Sequence, residues 1–176
     1  MIQRDCCRRN IKNEVFDSCH ERICNMKKGI KICITCSSGG HLTEALKATQ
    51  NLKGDKFFVT FWDPRVETSL QGYRYYLITH PKRNPLLLMK NCYNAIRVLL
   101  KERPDLIIST GADVTVCVCI LGKLLGRRLI YIESGGNVYT PSLTGRILYP
   151  FADLFIVQWR PLKVKLKRAV HGGPLF

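Results

Sequence analysis

From Ile30 onward, short β-rich apolar runs alternate with helical stretches, and this alternation constrains the fold more than any other feature of the chain. Strands are expected over residues 31–36, 56–61, 75–79, 105–109, 128–132 and 154–157. Helices are expected over 42–52, 86–101, 114–125 and 143–151. Runs such as DLIIST, RRLIYIE and DLFIVQ are apolar without a polar face, as strands are when helices cover both sides of a parallel sheet. Gly54, Pro104 and Gly126 fall at the boundaries, where a helix ends or a strand is about to begin. The repeated strand–helix order predicts an α/β fold, a doubly wound parallel sheet with right-handed crossovers. Leu162, Val164 and Leu166 alternate with lysines, which fits strand and helix equally.

One domain is expected over residues 30–176, since 176 residues suffice for a single core that buries about 70% of the unfolded surface. Residues 1–29 show no periodicity. Met26-Lys27-Lys28 ahead of the first strand reads as a natural start, so 1–29 is expected to be a flexible leader or an extension. Its Cys6, Cys7, Cys19, His20 and Cys24 lack a pair of C-x₂-C knuckles, and no metal site is expected. The nine cysteines are odd in number, follow no signal peptide, and include Cys33, Cys117 and Cys119 inside apolar runs. They read as free, small hydrophobes in a reducing cytosol. No run of about eighteen apolar residues offers a membrane-spanning helix.

Lys and Arg number 28 against 13 Asp and Glu, a formal charge of +15. Residues 1–25 hold five basic and four acidic side chains, so the surplus belongs to the folded body. An excess of this size calls for an anionic partner. Nucleic acid is set aside, because no recognised nucleic-acid-binding motif or aromatic stacking platform accompanies the charge.

In a doubly wound sheet, ligands bind beyond the carboxyl ends of the strands. Three polar, glycine-rich loops fall there. The first is Cys36-Ser37-Ser38-Gly39-Gly40-His41, where glycines admit close backbone approach and a helix N-terminus attracts phosphate. It is not a G-x-G-x-x-G fingerprint, although Asp63 lies where a ribose-binding acid would follow the second strand. A tight turn with His41 as a helix cap is the plainer alternative. The second loop is Ser109-Thr110-Gly111-Ala112-Asp113, in which Asp113 either caps the next helix or meets a ligand. The third is Glu133-Ser134-Gly135-Gly136-Asn137. Three such loops on one sheet edge are more specific than any single one.

Lys82, Arg83, Lys90, Arg97 and Lys101 accompany an apolar stripe through residues 86–100. Most of that stripe reads as an ordinary crossover helix packed on the sheet. The end carrying Leu86, Leu87 and Met89, with Lys82, Arg83 and Lys90, reads as a membrane-surface element held by apolar insertion and anionic lipid. Arg160, Lys163, Lys165, Lys167 and Arg168 form a second basic cluster, expected to be a solvated face.

SSGGHLTE, TGAD, YIESGG, SLTGRILYPFAD, VQW and the closing GG, in that order, resemble the asparagine-linked-glycosylation-fourteen family and the bacterial PssD-type capsule and exopolysaccharide proteins. The resemblance spans residues 30–176. More distantly, the chain is similar to the N-terminal half of the MurG-type N-acetylglucosaminyltransferase. It implies a Rossmann-like half of a GT-B glycosyltransferase, the acceptor-binding and membrane-recruiting subunit of a two-chain enzyme. The partner would be a C-terminal-half, PssE-type subunit that binds most of the UDP-sugar donor, with no metal or other cofactor. The acceptor would be a polyprenyl-diphosphate-linked sugar. Ser38, Gly39 and Gly40 would meet its diphosphate, together with Gly111, Asp113 and Ser134. Either His41 or Glu133 would serve as base for the attacking hydroxyl. Eukaryotic members carry an N-terminal membrane helix. Here the leader is polar, so recruitment to the cytoplasmic face would be peripheral. Two other readings stand beside this one: a non-catalytic membrane scaffold for a partner enzyme, and a self-sufficient nucleotide-binding enzyme.

Overall fold

The structure is a computed structural model that describes residues 29–82 and 84–176. The expectations for the leader and its cysteines, and for Arg83, fall outside the described residues.

Seven strands form one sheet: β1 (Lys31–Thr35), β2 (Asp55–Thr60), β3 (Arg74–Leu77), β4 (Leu106–Ser109), β5 (Arg128–Ile132), β6 (Leu154–Val157) and β7 (Val170–His171). Their spatial order is β3-β2-β1-β4-β5-β6-β7, and every pairing is parallel. The helices are α1 (Gly40–Thr49), α2 (Pro64–Ser69), α3 (Pro85–Glu102), α4 (Val116–Leu124), α5 (Leu143–Leu148) and α6 (Arg160–Lys165).

Successive strand residues point to opposite faces, so buried strands supply two cores at once. Cys33, Phe57, Val59, Ile107, Leu129 and Tyr131 pack with Ala95 and Leu99 of α3 and Val118 of α4. Their neighbours Ile32, Ile34, Phe58, Ile108 and Ile130 pack on the other face with Leu42 and Ala45 of α1 and with Val66. Strand order reverses between β1 and β4, and the crevice at such a switch point is where doubly wound sheets bind ligands.

The expected doubly wound sheet is present, and the differences have local causes. α2 lies outside the expected helices, because six residues carry too little periodicity. Its signal was the Asp63-Pro64 pair, with the Asp63 side chain accepting from Arg65 N and Pro64 opening the helix. β7 is two residues long and pairs only with β6 at the sheet edge. Residues 160–165, which fitted two patterns, are helical with Leu162 buried. α1 ends at Thr49, not Leu52, and Gly54 instead stands immediately before β2. There φ is +144°, and an added Cβ would lie 2.7 Å from the Ile30 carbonyl oxygen.

Cys33 and Cys119 are free and buried, as expected. Cys117 is not free: it is bonded to Cys92, because α3 and α4 run side by side on one face and bring residues 25 apart in sequence together.

α3 is defined at both ends by its sequence. Asn84 accepts from the Leu86 and Leu87 amides, Pro85 starts the helix, and Arg103 closes it in the left-handed region before Pro104. Its C-terminal turn is anchored under the sheet. Lys31 Nζ lies 3.1 Å from Glu102 Oε2, Arg74 Nη2 lies 3.4 Å from the same oxygen, and Tyr76 Oη donates to Glu102 Oε1. The sequence placed most of the α3 apolar stripe in the core, and the structure differs. The buried residues are Asn91, Ala95, Leu99 and Glu102, whereas Leu86, Met89, Tyr93 and Leu100 are exposed along the opposite face. Small and polar residues fill the packed side because α3 lies close to its neighbours; Asn91 Nδ2 donates to the Thr79 and Val114 carbonyls.

Candidate active site

The first loop leaves β1 and turns into α1 at Gly39, whose φ of +74° is strained for residues with a side chain. No side chain caps α1, so its first amides are free of a side-chain cap. Ser38 Oγ donates to Asp63 Oδ2 at 3.1 Å, and the Arg65 guanidinium grips the same carboxylate at 2.9 and 3.0 Å. Arg65 therefore holds the Asp63 carboxyl well below the usual carboxylate range. Asp63 is engaged by its own neighbours rather than left open for a ribose.

His41 does not cap α1. Its carbonyl accepts from Thr110 Oγ1 at 2.8 Å, which ties the first loop to the second. Gly111, with φ +106°, lets the two loops close up: an added Cβ would lie 2.9 Å from Tyr131 Oη and 3.5 Å from His41 Cε1. A buried hydroxyl pair shapes this turn. Ser109 Oγ lies 3.2 Å from Thr115 Oγ1 and accepts from Gly111 N, so residues 113–115 form a 3₁₀ turn ahead of α4. Asp113, left open between cap and ligand, sits 3.7 Å from His80 Nε2 and is half exposed.

The third loop is organised by Glu133, which is 1% exposed. Its Oε1 accepts from Ser134 N and Asn137 Nδ2, at 3.2 and 2.9 Å. Its Oε2 accepts from Ser142 N and Ser142 Oγ, both at 3.2 Å. Burial pushes the Glu133 carboxyl up, against the pull of these donors. Ser142 in turn caps α5 through Gly145 N, and Gly145 has no room for a Cβ beside Glu133.

Between the first and third loops lies a buried carboxylate that sequence reading passed over. Glu44 Oε1 accepts from Ser134 Oγ, Gly135 N and Gln158 Nε2, at 3.2, 2.7 and 3.2 Å. Glu44 Oε2 faces His41 Nδ1 at 3.6 Å. The carboxylate raises the His41 pKa while burial opposes it. Glu44 itself is pushed up by burial, but His41, Gly135 and Gln158 bring it below its ordinary value. Its signal was the i, i+3 spacing to His41 on α1.

His41, Gly111, Glu133 and Ser134 thus meet around one cluster at the β1–β4 crevice, with Ser38, Gly39 and Gly40 at its first-loop edge. Asp113 stands apart with His80. Lys82, Leu86, Leu87 and Lys90 lie at the other end of the β3–α3 connection; Leu86 is exposed and Leu87 half-buried. Among the described residues no group of three His, Cys, Asp or Glu side chains gathers as metal ligands, and no helix is long and apolar enough to cross a membrane.

A parallel sheet in this order, with three glycine-rich loops at its carboxyl edge, is one Rossmann-like half of the GT-B architecture. The MurG structure of Acinetobacter baumannii has the same fold over 73% of this chain, with a TM-score of 0.61 at 17% identity. The chain spans 41% of that MurG chain. The chain belongs to the family described as oligosaccharide biosynthesis protein Alg14 like, whose model matches residues 83–175. The UDP-N-acetylglucosamine transferase subunit ALG14 of Debaryomyces hansenii is 31% identical over 84% of this chain and 77% of its own length. The alg14 subunit of Schizosaccharomyces pombe is 44% identical over 75 residues, which are 40% of this chain and 36% of that one.

Proposed function

We propose that the chain is the acceptor-binding subunit of a two-chain, inverting UDP-N-acetylglucosamine transferase that builds a lipid-linked oligosaccharide or polysaccharide. The observation that carries this is the convergence of His41 and three glycine-rich loops on the switch-point crevice of a Rossmann-like sheet. The name of its relatives as transferase subunits supports the same reading.

A polyprenyl-diphosphate-linked sugar would set its diphosphate against Gly39, Gly40 and the free amides of α1, with Ser38 and Gly111 beside it. The acceptor hydroxyl attacks the anomeric carbon of the donor. The new C–O bond forms as the bond from that carbon to the UDP oxygen breaks, and the hydroxyl proton passes to His41. His41 suits this role better than Glu133. It is partly open to the crevice, whereas both Glu133 oxygens are occupied by donors that hold the third loop in place. The donor and its leaving diphosphate belong to a C-terminal-half partner of the PssE type.

The chain would sit on the cytoplasmic face of the membrane. On α3, Leu86, Met89, Lys90, Tyr93, Arg97, Leu100 and Lys101 share one exposed face, and apolar insertion flanked by cations suits an anionic lipid surface. The test is reconstitution of the two chains with UDP-N-acetylglucosamine and a lipid-diphosphate acceptor. Transfer that is unchanged when this chain is omitted rejects the proposal. Transfer that survives His41→Ala but fails when the α3 face is charged supports a scaffold role instead.

A further inference from the structure

Two buried polar atoms at the centre of the site have no hydrogen-bond partner among the described residues: His41 Nδ1 and Glu44 Oε2. They face one another at 3.6 Å. The other Glu44 oxygen is fully occupied, by Ser134 Oγ, Gly135 N and Gln158 Nε2. Gln158 is itself fixed, donating also to the Glu133 carbonyl and accepting from Leu175 N. The carboxylate therefore cannot turn away from His41 without breaking three bonds.

We infer that Glu44 is the positioning residue of His41: it selects the Nδ1–H tautomer, orients the ring, and so leaves Nε2 as the nitrogen that takes the acceptor proton. This rests on the base role proposed for His41. A neutral imidazole carries its proton on one nitrogen only, and the partner of the other nitrogen decides which. A carboxylate oxygen accepts a proton donor and repels a lone pair, so Nδ1 beside Glu44 carries the hydrogen. When the hydroxyl proton arrives on Nε2, the imidazolium forms against a buried anion already in place. Glu44 touches no reacting atom. Its effect passes through His41, and it couples that residue to the third loop and to the residues following β6.

The titratable groups facing His41 are Glu44 on its own helix and Glu133 from the end of β5. Glu133→Gln thus serves as the comparison for any change in charge alone. The direct experiment is nitrogen-15 NMR of the full chain labelled at histidine, with His41→Ala assigning one resonance among the four histidines. The wild-type chain is expected to show His41 as Nδ1–H, titrating above free histidine. Glu44→Gln is expected to lower that titration point and mix the tautomers, more than Glu133→Gln does. An Nε2–H tautomer in the wild type, or a His41 signal indifferent to Glu44→Gln, overturns the inference. The wild-type tautomer decides the matter even where the variant does not fold.

In the two-chain complex, Glu44→Gln is expected to cut kcat on the order of 100-fold with acceptor KM little changed, as misoriented catalytic groups do. Its acidic limb moves to lower pH, and His41→Ala/Glu44→Gln is no slower than His41→Ala. Losses that multiply instead assign Glu44 a separate task and contradict the inference. A complex carrying His41→Ala that transfers sugar as well as the wild type rejects the base role, while the tautomer still reports on the pair by itself.

Discussion

His41 carries the heaviest chemical expectation, since general-base groups contribute roughly 10²- to 10⁴-fold. Replacing it with alanine is expected to lower kcat of the assembled enzyme by that order, without loss of assembly. The base works only when neutral. Because the Glu44 carboxylate raises its pKa, transfer is expected to fall on acidification at a higher pH than an ordinary histidine would set. A pH–rate profile of the wild-type complex measures this, and a flat acidic limb contradicts it. His41 affects stability with the opposite sign, and Glu44 with the same sign as activity. Protonated His41 is favoured in the folded chain, so its contribution is complete below the unfolded histidine pKa and is lost as pH rises through the raised folded one. Lowered Glu44 contributes above the unfolded carboxylate value and loses that contribution as pH falls through its folded one. Gly111 is the second sensitive position. With φ at +106° and Tyr131 Oη in the way, Gly111→Ala is expected to separate the first two loops and reduce transfer, even where a melting curve shows the chain still folded.

At the scale of the element, α3 presents two faces that its sequence mixes together. Its buried end is held by Glu102, whose carboxyl burial pushes up while Tyr76 and Lys31 bring it below its ordinary value. Glu102→Ala removes hydrogen bonds to a charged group and is expected to cost about 2 kcal/mol in urea unfolding. Because the pKa is lowered, this contribution is present above the unfolded glutamate value and disappears as pH falls through the folded one. The outer face is tested by Leu86→Asp/Met89→Asp. These side chains are 74% and 70% exposed, so the fold is expected to survive. Co-sedimentation with anionic vesicles is expected to fall at least about tenfold, since one buried apolar side chain accounts for about 1.5 kcal/mol or more. Unchanged sedimentation would remove α3 from the membrane contact.

Across the whole molecule, the sheet was legible in sequence because strands buried on both faces leave long apolar runs, as in DLIIST and RRLIYIE. The glycine loops were legible because backbone that approaches a ligand or another loop needs Gly39 or Gly111. What escaped was long-range. Glu44 reads as an ordinary helix glutamate until the chain brings Ser134, Gly135 and Gln158 to one of its oxygens. Cys117 reads as a small hydrophobe until α3 brings Cys92 beside it. The α3 stripe misleads for a related reason: a helix packed closely enough to bury Asn91 and Ala95 turns its leucines outward. Each error arises where one residue's role depends on a partner far away in sequence. The central claim, that this chain supplies the acceptor side and the base of a divided transferase, is tested most directly by one rate. Sugar transfer from UDP-N-acetylglucosamine to a lipid-diphosphate acceptor is measured for the purified two-chain complex, with wild-type chain and with His41→Ala. Transfer that requires both chains and falls by at least about 100-fold with His41→Ala is the expected result. Full transfer by the partner alone, or by the complex carrying His41→Ala, would contradict it.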